Sequence, residues 1–166
     1  ASWGKTQSTI TANSTTAPDG TTTADKLVEN SATNYHFVVQ NIGLTNAMFS
    51  VYVKASERTQ VALYLSGPNV GVGFDLSAGT TTSISGWTTG SPTSTITSVG
   101  NGWYRITIYT AGTITSTQIG LGNAGAGLYT GDGTSGIFIW GAQLEQRSSA
   151  TAYTPTTTQA ITNYIP

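Results

Sequence analysis

The chain contains no cysteine, so disulfide bridges and thiolate metal sites are excluded. Charge is also scarce: Asp, Glu, Lys and Arg make up 8% of the residues, against roughly 25% in an average globular protein. The six Lys and Arg are scattered along the sequence, the net charge is −1, and no basic stripe forms. That distribution argues against nucleic acid and against anionic lipid as partners. No apolar run is long enough for membrane insertion as a helix. A single histidine, His36, removes multi-histidine metal centres and leaves one candidate general base. It falls in an expected Tyr35–Gln40 strand with no Gly-x-Ser-x-Gly elbow nearby, so a structural or ligand-contact role is expected of it. No initiator Met and no signal peptide open the chain, which starts Ala1-Ser2-Trp3 and reads as an excised piece of a longer polypeptide.

Thr, Ser, Gly and Asn supply the polarity that charge does not. With 37% hydrophobic and 10% aromatic residues in 166, the chain has the size and apolar content of one folded domain. No stretch beyond about ten residues holds a 3.6-residue apolar period. Alternation dominates instead. Phe49, Val51 and Val53 share one face of Ala47–Lys54, opposite Met48, Ser50, Tyr52 and Lys54. Val61, Leu63 and Leu65 alternate with Gln60, Ala62 and Tyr64. Tyr104, Ile106 and Ile108 alternate with Trp103, Arg105, Thr107 and Tyr109. Further strands are expected over Ser8–Ala12, Lys26–Glu29, His36–Gln40, Gly71–Leu76, Ser94–Ser98, Thr117–Leu121 and Ile137–Leu144. Turns such as Pro18-Asp19-Gly20, Gly67-Pro68-Asn69 and Gly100-Asn101-Gly102 separate them. The pattern predicts an all-β sandwich or barrel without crossover helices. The domain is expected over residues 1–147, with a Thr/Ser-rich strap or linker over 148–166.

Two segments match a dinucleotide-binding pattern, Gly120-Leu-Gly122-Asn-Ala-Gly125 and Gly131-Asp-Gly133-Thr-Ser-Gly136. Neither opens a helix whose N-terminus could meet a pyrophosphate, so both are read as loop glycines. Seven carboxylates leave a glycosidase pair possible by number. Asp19 and Asp132, however, sit beside Gly in turns, where Asp bonds its own backbone. No catalytic residues are expected and the chain is read as a non-enzyme. Calcium is the ion best suited to Asp side chains and loop carbonyls, although no Asp-x-Asp-x-Asp loop is present.

The aromatic rings carry the positive signal, because flat rings stack on sugar faces while hydroxyl and amide neighbours bond the edges. Trp87, in the Gly86–Gly90 loop, is expected to be an exposed ring, and Tyr129 lies in a similar Gly-flanked loop. Tyr52, Tyr64, Arg105 and Tyr109 project from faces opposite the expected core. Trp140, Ala142 and Leu144 are expected on one face of the closing strand, packing the core.

Several phrases taken in order span nearly the whole chain. They are Trp3-Gly4-Lys5, Ala17-Pro18-Asp19-Gly20-Thr21, Thr23-Ala24-Asp25-Lys26-Leu27 and Phe49-Ser50-Val51-Tyr52-Val53-Lys54-Ala55. Phe74-Asp75-Leu76, Gly100-Asn101-Gly102-Trp103-Tyr104-Arg105, Tyr129-Thr130-Gly131-Asp132-Gly133-Thr134 and Ile139-Trp140-Gly141-Ala142-Gln143-Leu144-Glu145 follow. This series resembles the jelly-roll domains of bacteriophage tail and head-fibre proteins, which are similar to carbohydrate-binding modules of xylanases and glucanases. The resemblance implies a two-sheet antiparallel β-sandwich of jelly-roll type. It also implies a non-catalytic fibre module at the virion surface or in an extracellular setting. Its expected partners are a glycan or host-surface polysaccharide and other virion subunits, with the chain itself expected to form a homo-oligomer. Two alternatives stand beside it: a secreted carbohydrate-binding module of a polysaccharide hydrolase, and a structural capsid or tail decoration that binds only protein. The resemblance would let Asp25 and Glu145 hold a calcium ion. The family's usual opening strand and the acidic residue before the Trp3 position are missing, which implies a gap at one sheet edge that a neighbouring subunit could fill.

Overall fold

The computed structural model describes residues 3–155, and among them there is no helix. Twelve strands run antiparallel: β1 (Gly4–Thr6), β2 (Ser8–Thr15), β3 (Ala24–Glu29), β4 (Thr33–Tyr35), β5 (Phe37–Ala55), β6 (Gln60–Ser66), β7 (Val70–Asp75), β8 (Thr80–Thr82), β9 (Thr93–Gly100), β10 (Trp103–Gly122), β11 (Leu128–Thr130) and β12 (Gly136–Glu145). All ten expected strands are present. The short β1, β4, β8 and β11 carry too few residues to show an alternation, and sequence reading missed them. Of the expected 148–166 strap, residues 156–166 lie outside the described residues.

Two pairs of expected strands are each one long strand. The 36–40 and 47–54 segments merge into β5, and the 103–109 and 117–121 segments merge into β10. These two pair with each other from Trp103↔Lys54 to Gly120↔Phe37, with register shifts only between Thr110 and Thr113 and between Ile114 and Ser116. At the shift, Asn46 adopts φ +54 and its Oδ1 accepts the Gly112 N–H at 2.9 Å. Bulges strengthen twist and bend a ladder.

The halves of β5 and β10 serve different neighbours. Beside residues 48–55 and 103–109 lie β12, β3, β2 and β9. Beside residues 37–41 and 116–122 lie β1, β6, β7 and β8. We call these the first and second layers. Leu27, Phe49, Val51, Val53, Ile106, Ile108 and Ile137 from the first layer share one buried cluster with Val61, Leu63, Leu65, Phe74, Ile119 and Leu121 from the second. One continuous ten-stranded sheet therefore folds over a single core. A separate two-stranded sheet, β4 with β11, flanks it.

The outer face of the second layer is not left to solvent. Gly71, Gly73, Gly120 and Gly122 leave a shallow trough there, and the loop after β8 fills it with Ile84 and Trp87. A Cβ on Gly120 would lie 2.4 Å from Trp87 Cζ2, so only glycine permits this approach. Trp87 is 4% exposed, donates its indole N–H to the Leu121 carbonyl at 3.2 Å, and meets the rings of Tyr35, Phe37 and Tyr64 edge-on. The expectation of an exposed Trp87 is thus corrected. Its Gly-rich loop folds inward because glycines on the facing strands make room. The Gly120–Gly125 match to the dinucleotide pattern has the same explanation for its first glycines.

Replacing Trp87 with Ala is expected to cost about 3–5 kcal/mol, the usual loss for a buried large aromatic. Gly120→Val should cost about 1–3 kcal/mol by overpacking the same spot. Urea unfolding of both variants reads this; an unchanged midpoint in either would show that the ring is not seated in the trough.

Candidate functional site: the outer face of the first layer

Sheet register brings three of the expected ligand residues together. Arg105 on β10 stands opposite Tyr52 on β5, and Tyr52 stands opposite Trp140 on β12. Tyr109 lies four residues along the same face of β10, opposite Met48. On the far side of β10, Thr97, Thr95 and Thr93 of β9 stand opposite Arg105, Thr107 and Tyr109 and are exposed. The result is a row of half-buried rings beside a row of hydroxyls. Such side chains project alike because neighbours on one strand face are two residues apart.

Arg105 is held in place from two sides. Its guanidinium lies 5.4 Å from the Tyr52 ring centroid, and one Nη donates to Ser50 Oγ at 3.0 Å. Its Nε is sealed from solvent without a protein partner. A guanidinium fixed by a ring beneath it presents its remaining N–H groups at little entropic cost. Thr95 and Thr107 hydroxyls bond each other at 2.7 Å, which fixes part of the neighbouring row.

The same face is closed off at its β12 side. Trp103, expected on the outer face, is there but buried, under Ala17, Ala24, Tyr52, Phe138 and Trp140, and its indole donates to the Thr16 carbonyl. Residues 148–155 cross β12: Thr151 donates to Glu145, Gln143 donates to Thr151 Oγ1, and the Tyr153 ring packs 4.5 Å from Trp140. Trp140 and Leu144 do not share a face, against expectation. A bulge between Trp140 and Gln143, with Gly141 at φ +60, shifts the alternation so that Leu144 turns to the main core while Trp140 stays outside.

The remaining expected residues lie elsewhere. Tyr64 is on the second layer against Trp87, its hydroxyl 3.3 Å from Asn69 Oδ1. Tyr129 is buried, and its hydroxyl donates to Glu29 at 2.6 Å. Asp25 and Glu145 do not form one site. Asp25 stands opposite Ile139, whereas Glu145 is six residues further along β12, roughly 15–20 Å away at about 3.3 Å per residue. Asp25 accepts the Asn13 N–H and Glu145 is taken up by Thr151, so the pair does not fit a shared cation. Among the described residues no group of three or more His, Cys, Asp or Glu converges.

Sequence reading passed over Glu29, which is 1% exposed and organises the loop around Tyr129. Arg58 reaches it through both Nε and Nη2, Tyr129 donates from the other side, and the Asp132 N–H donates at 2.9 Å. Asp132 in turn accepts the N–H groups of Thr134 and Ser135, the local bonding expected of a turn Asp. His36 closes the cluster. It is fully buried, with Nδ1 2.7 Å from the Gln7 carbonyl and Nε2 3.3 Å from the Tyr129 carbonyl. Of the structural and ligand-contact roles expected of it, these contacts are structural. The one signal for Glu29 was an acidic residue ending an apolar strand, with an Arg and a Tyr far off in sequence.

No family model and no curated protein matches this sequence.

Burial opposes ionisation of Glu29, but hydrogen bonds from Arg58, Tyr129 and the Asp132 amide, with the Arg58 charge, outweigh it and lower its pKa. The Lys26 hydrogen bond brings exposed Glu57 down to about 2 from 4.5. Groups depressed in the folded state stabilise it above their unfolded pKa, and that contribution is lost as pH falls. Stability should therefore decline as pH drops from about 4.5 toward about 2. Glu29→Gln should flatten this acid limb, and Arg58→Ala should cost about 3–5 kcal/mol at neutral pH by leaving a buried carboxylate unpaired. Thermal melts across pH check both; an identical acid limb in Glu29→Gln would remove Glu29 from the account.

Proposed function

We propose that this chain is a non-catalytic, jelly-roll binding module that adsorbs a carbohydrate chain on the outer face of its first layer, as a surface or fibre domain of a larger virion or extracellular protein. The observation that carries this is the Tyr52–Arg105 pair beside Tyr109 and the Thr93, Thr95 and Thr97 row. Rings of this kind cover the apolar face of a sugar, while a fixed guanidinium and ordered hydroxyls bond its oxygens. A flat strand face suits an extended polysaccharide better than a buried monosaccharide. The resemblance to phage fibre and hydrolase-associated modules points the same way.

The test is a glycan array with the isolated domain, followed by calorimetry on any ligand retained. Arg105→Ala and Tyr109→Ala should each weaken binding by about 1–2 kcal/mol, with the thermal midpoint barely changed for Tyr109→Ala. Trp87→Phe, on the other layer, should bind as the parent does. Retention that neither Arg105 nor Tyr109 influences would move the site elsewhere. An array with no retained glycan, together with a stable oligomer, would instead favour the protein-binding decoration module.

A further inference from the structure

Charge on the outer face of the first layer is one-sided. Among the described residues Lys26, Arg58 and Arg147 stand in ion pairs, with Glu57, Glu29 and Glu145. No ion pair among those residues holds Lys5, Lys54 or Arg105. Lys5 lies away from this face, in a cleft that Asp25 also lines. Lys54 and Arg105 share the face. Register sets Arg105 opposite Tyr52 and puts Lys54 two residues further along β5, a diagonal of roughly 7–8 Å between neighbouring strands. Lys54 leans to the β9–β10 turn, away from β12: a Cβ on Gly102 would lie 3.4 Å from its Cε.

Both cations have donors to spare. Arg105 gives Nη2 to Ser50 Oγ and its Nε is sealed, which leaves Nη1 open to solvent and without a partner among the described residues. Lys54 Nζ is likewise unsealed and has no hydrogen-bond partner there. The chain's own acids do not answer them. Each of the seven carboxylates already accepts a hydrogen bond from its own surroundings. Glu145 and Asp19 belong to the covered side of the face, where they meet Thr151 and act on Tyr153. Like charges gathered on one face repel, and an anion laid between them relieves this. A guanidinium with an open N–H edge fits a carboxylate, and such charge-assisted bonds are about twice as strong as neutral ones.

We infer that the polysaccharide taken by this face is an acidic one, whose uronic carboxylates seat on Arg105 Nη1 and Lys54 Nζ while its sugar rings run along Tyr109 and the β9 threonines. The inference rests on the carbohydrate reading of the face and narrows its ligand. A neutral glycan would leave the two cations without a counter-charge. The chain's net charge of −1 does not oppose an anion here, because charges further off than about 8 Å are largely screened at physiological salt.

Hexagalacturonate and a hyaluronan hexasaccharide, titrated calorimetrically into the chain, are the probes. Their methyl esters, which keep the sugars and remove the charge, run beside them with xylohexaose and cellohexaose. One acidic chain or both should bind about tenfold or more tighter than its own ester. That advantage should vanish between about 0.01 M and about 1 M NaCl, as the screening length falls from about 30 Å to about 3 Å. Lys54→Gln and Arg105→Gln should each remove most of the difference between acid and ester while ester binding changes little. Lys5→Gln should alter neither. A thermal melt of Lys54→Gln matching the parent separates this loss from misfolding. Acids and esters that bind alike, with both weakened by Tyr109→Ala, overturn the inference and leave the carbohydrate reading standing. A preference for acid that survives both Gln variants overturns it as well. If neither acidic nor neutral chains bind, both readings fall.

Discussion

The ladder between β5 and β10 runs from Trp103↔Lys54 to Gly120↔Phe37, and every other strand of the ten-stranded sheet connects to it directly or through one or two intervening strands. Its bulged middle is where one sheet becomes two layers. If the two strands were straight, Phe49 and Ile108 could not meet Leu63 and Phe74 across a common core. The bend is fixed by polar chemistry, since the Asn46 side chain caps the Gly112 amide at the irregular step. The apolar core then follows from alternation on both sides of that step. Position in the fold, and so the composition of each outer face, depends on this one ladder.

The two outer faces are finished differently. On the second layer, glycines recess the sheet and a single loop lays Trp87 and Ile84 into the recess. That face is spent on stability. On the first layer, Trp103, Phe138 and Trp140 are covered by the 16–24 region and by residues 148–155, while Arg105, Tyr109 and the β9 threonines are left at the other side. A ring row that stops where the cover stops is a surface with one half used for folding and one half left uncovered. The contrast explains why aromatics of similar sequence context do different things.

Strand positions were legible because period-2 alternation is a local property, visible in Ala47–Lys54 and Trp103–Tyr109 without knowledge of the fold. The continuity of β5 and β10 was not, because their alternation is interrupted between the recognised segments, where the ladder shifts register but both strands run on. Tyr52, Arg105 and Tyr109 were placed on an outer face by alternation alone, and register then brought them together. Trp87 misled for a long-range reason: its burial is decided by glycines at 120 and 127, far along the chain. They do carry a faint signal, since Gly71-x-Gly73 and Gly120-x-Gly122 each put two glycines on one strand face. Glu29 was hidden in the same way, because its partners Arg58, Tyr129 and Asp132 come from three separate segments.

Scarcity of charge shapes the edges too. Exposed strands usually guard themselves with Lys, Pro, bulges or covering segments. Neither β2 nor β9 contains a charged residue. β2 is interrupted instead: Asn13 takes φ +53, the register with β3 shifts between Thr11 and Thr15, and the Asn13 amide turns to Asp25. β9 has only one shift, at its Gly100 end, and carries Val99, one of the chain's exposed large aliphatics. Conformation therefore protects one edge of the first layer, while the other is covered by hydroxyl-rich side chains alone. Hydroxyls compete with a pairing strand less effectively than a buried Lys charge would, so β9 is the edge of this fold most dependent on what surrounds it.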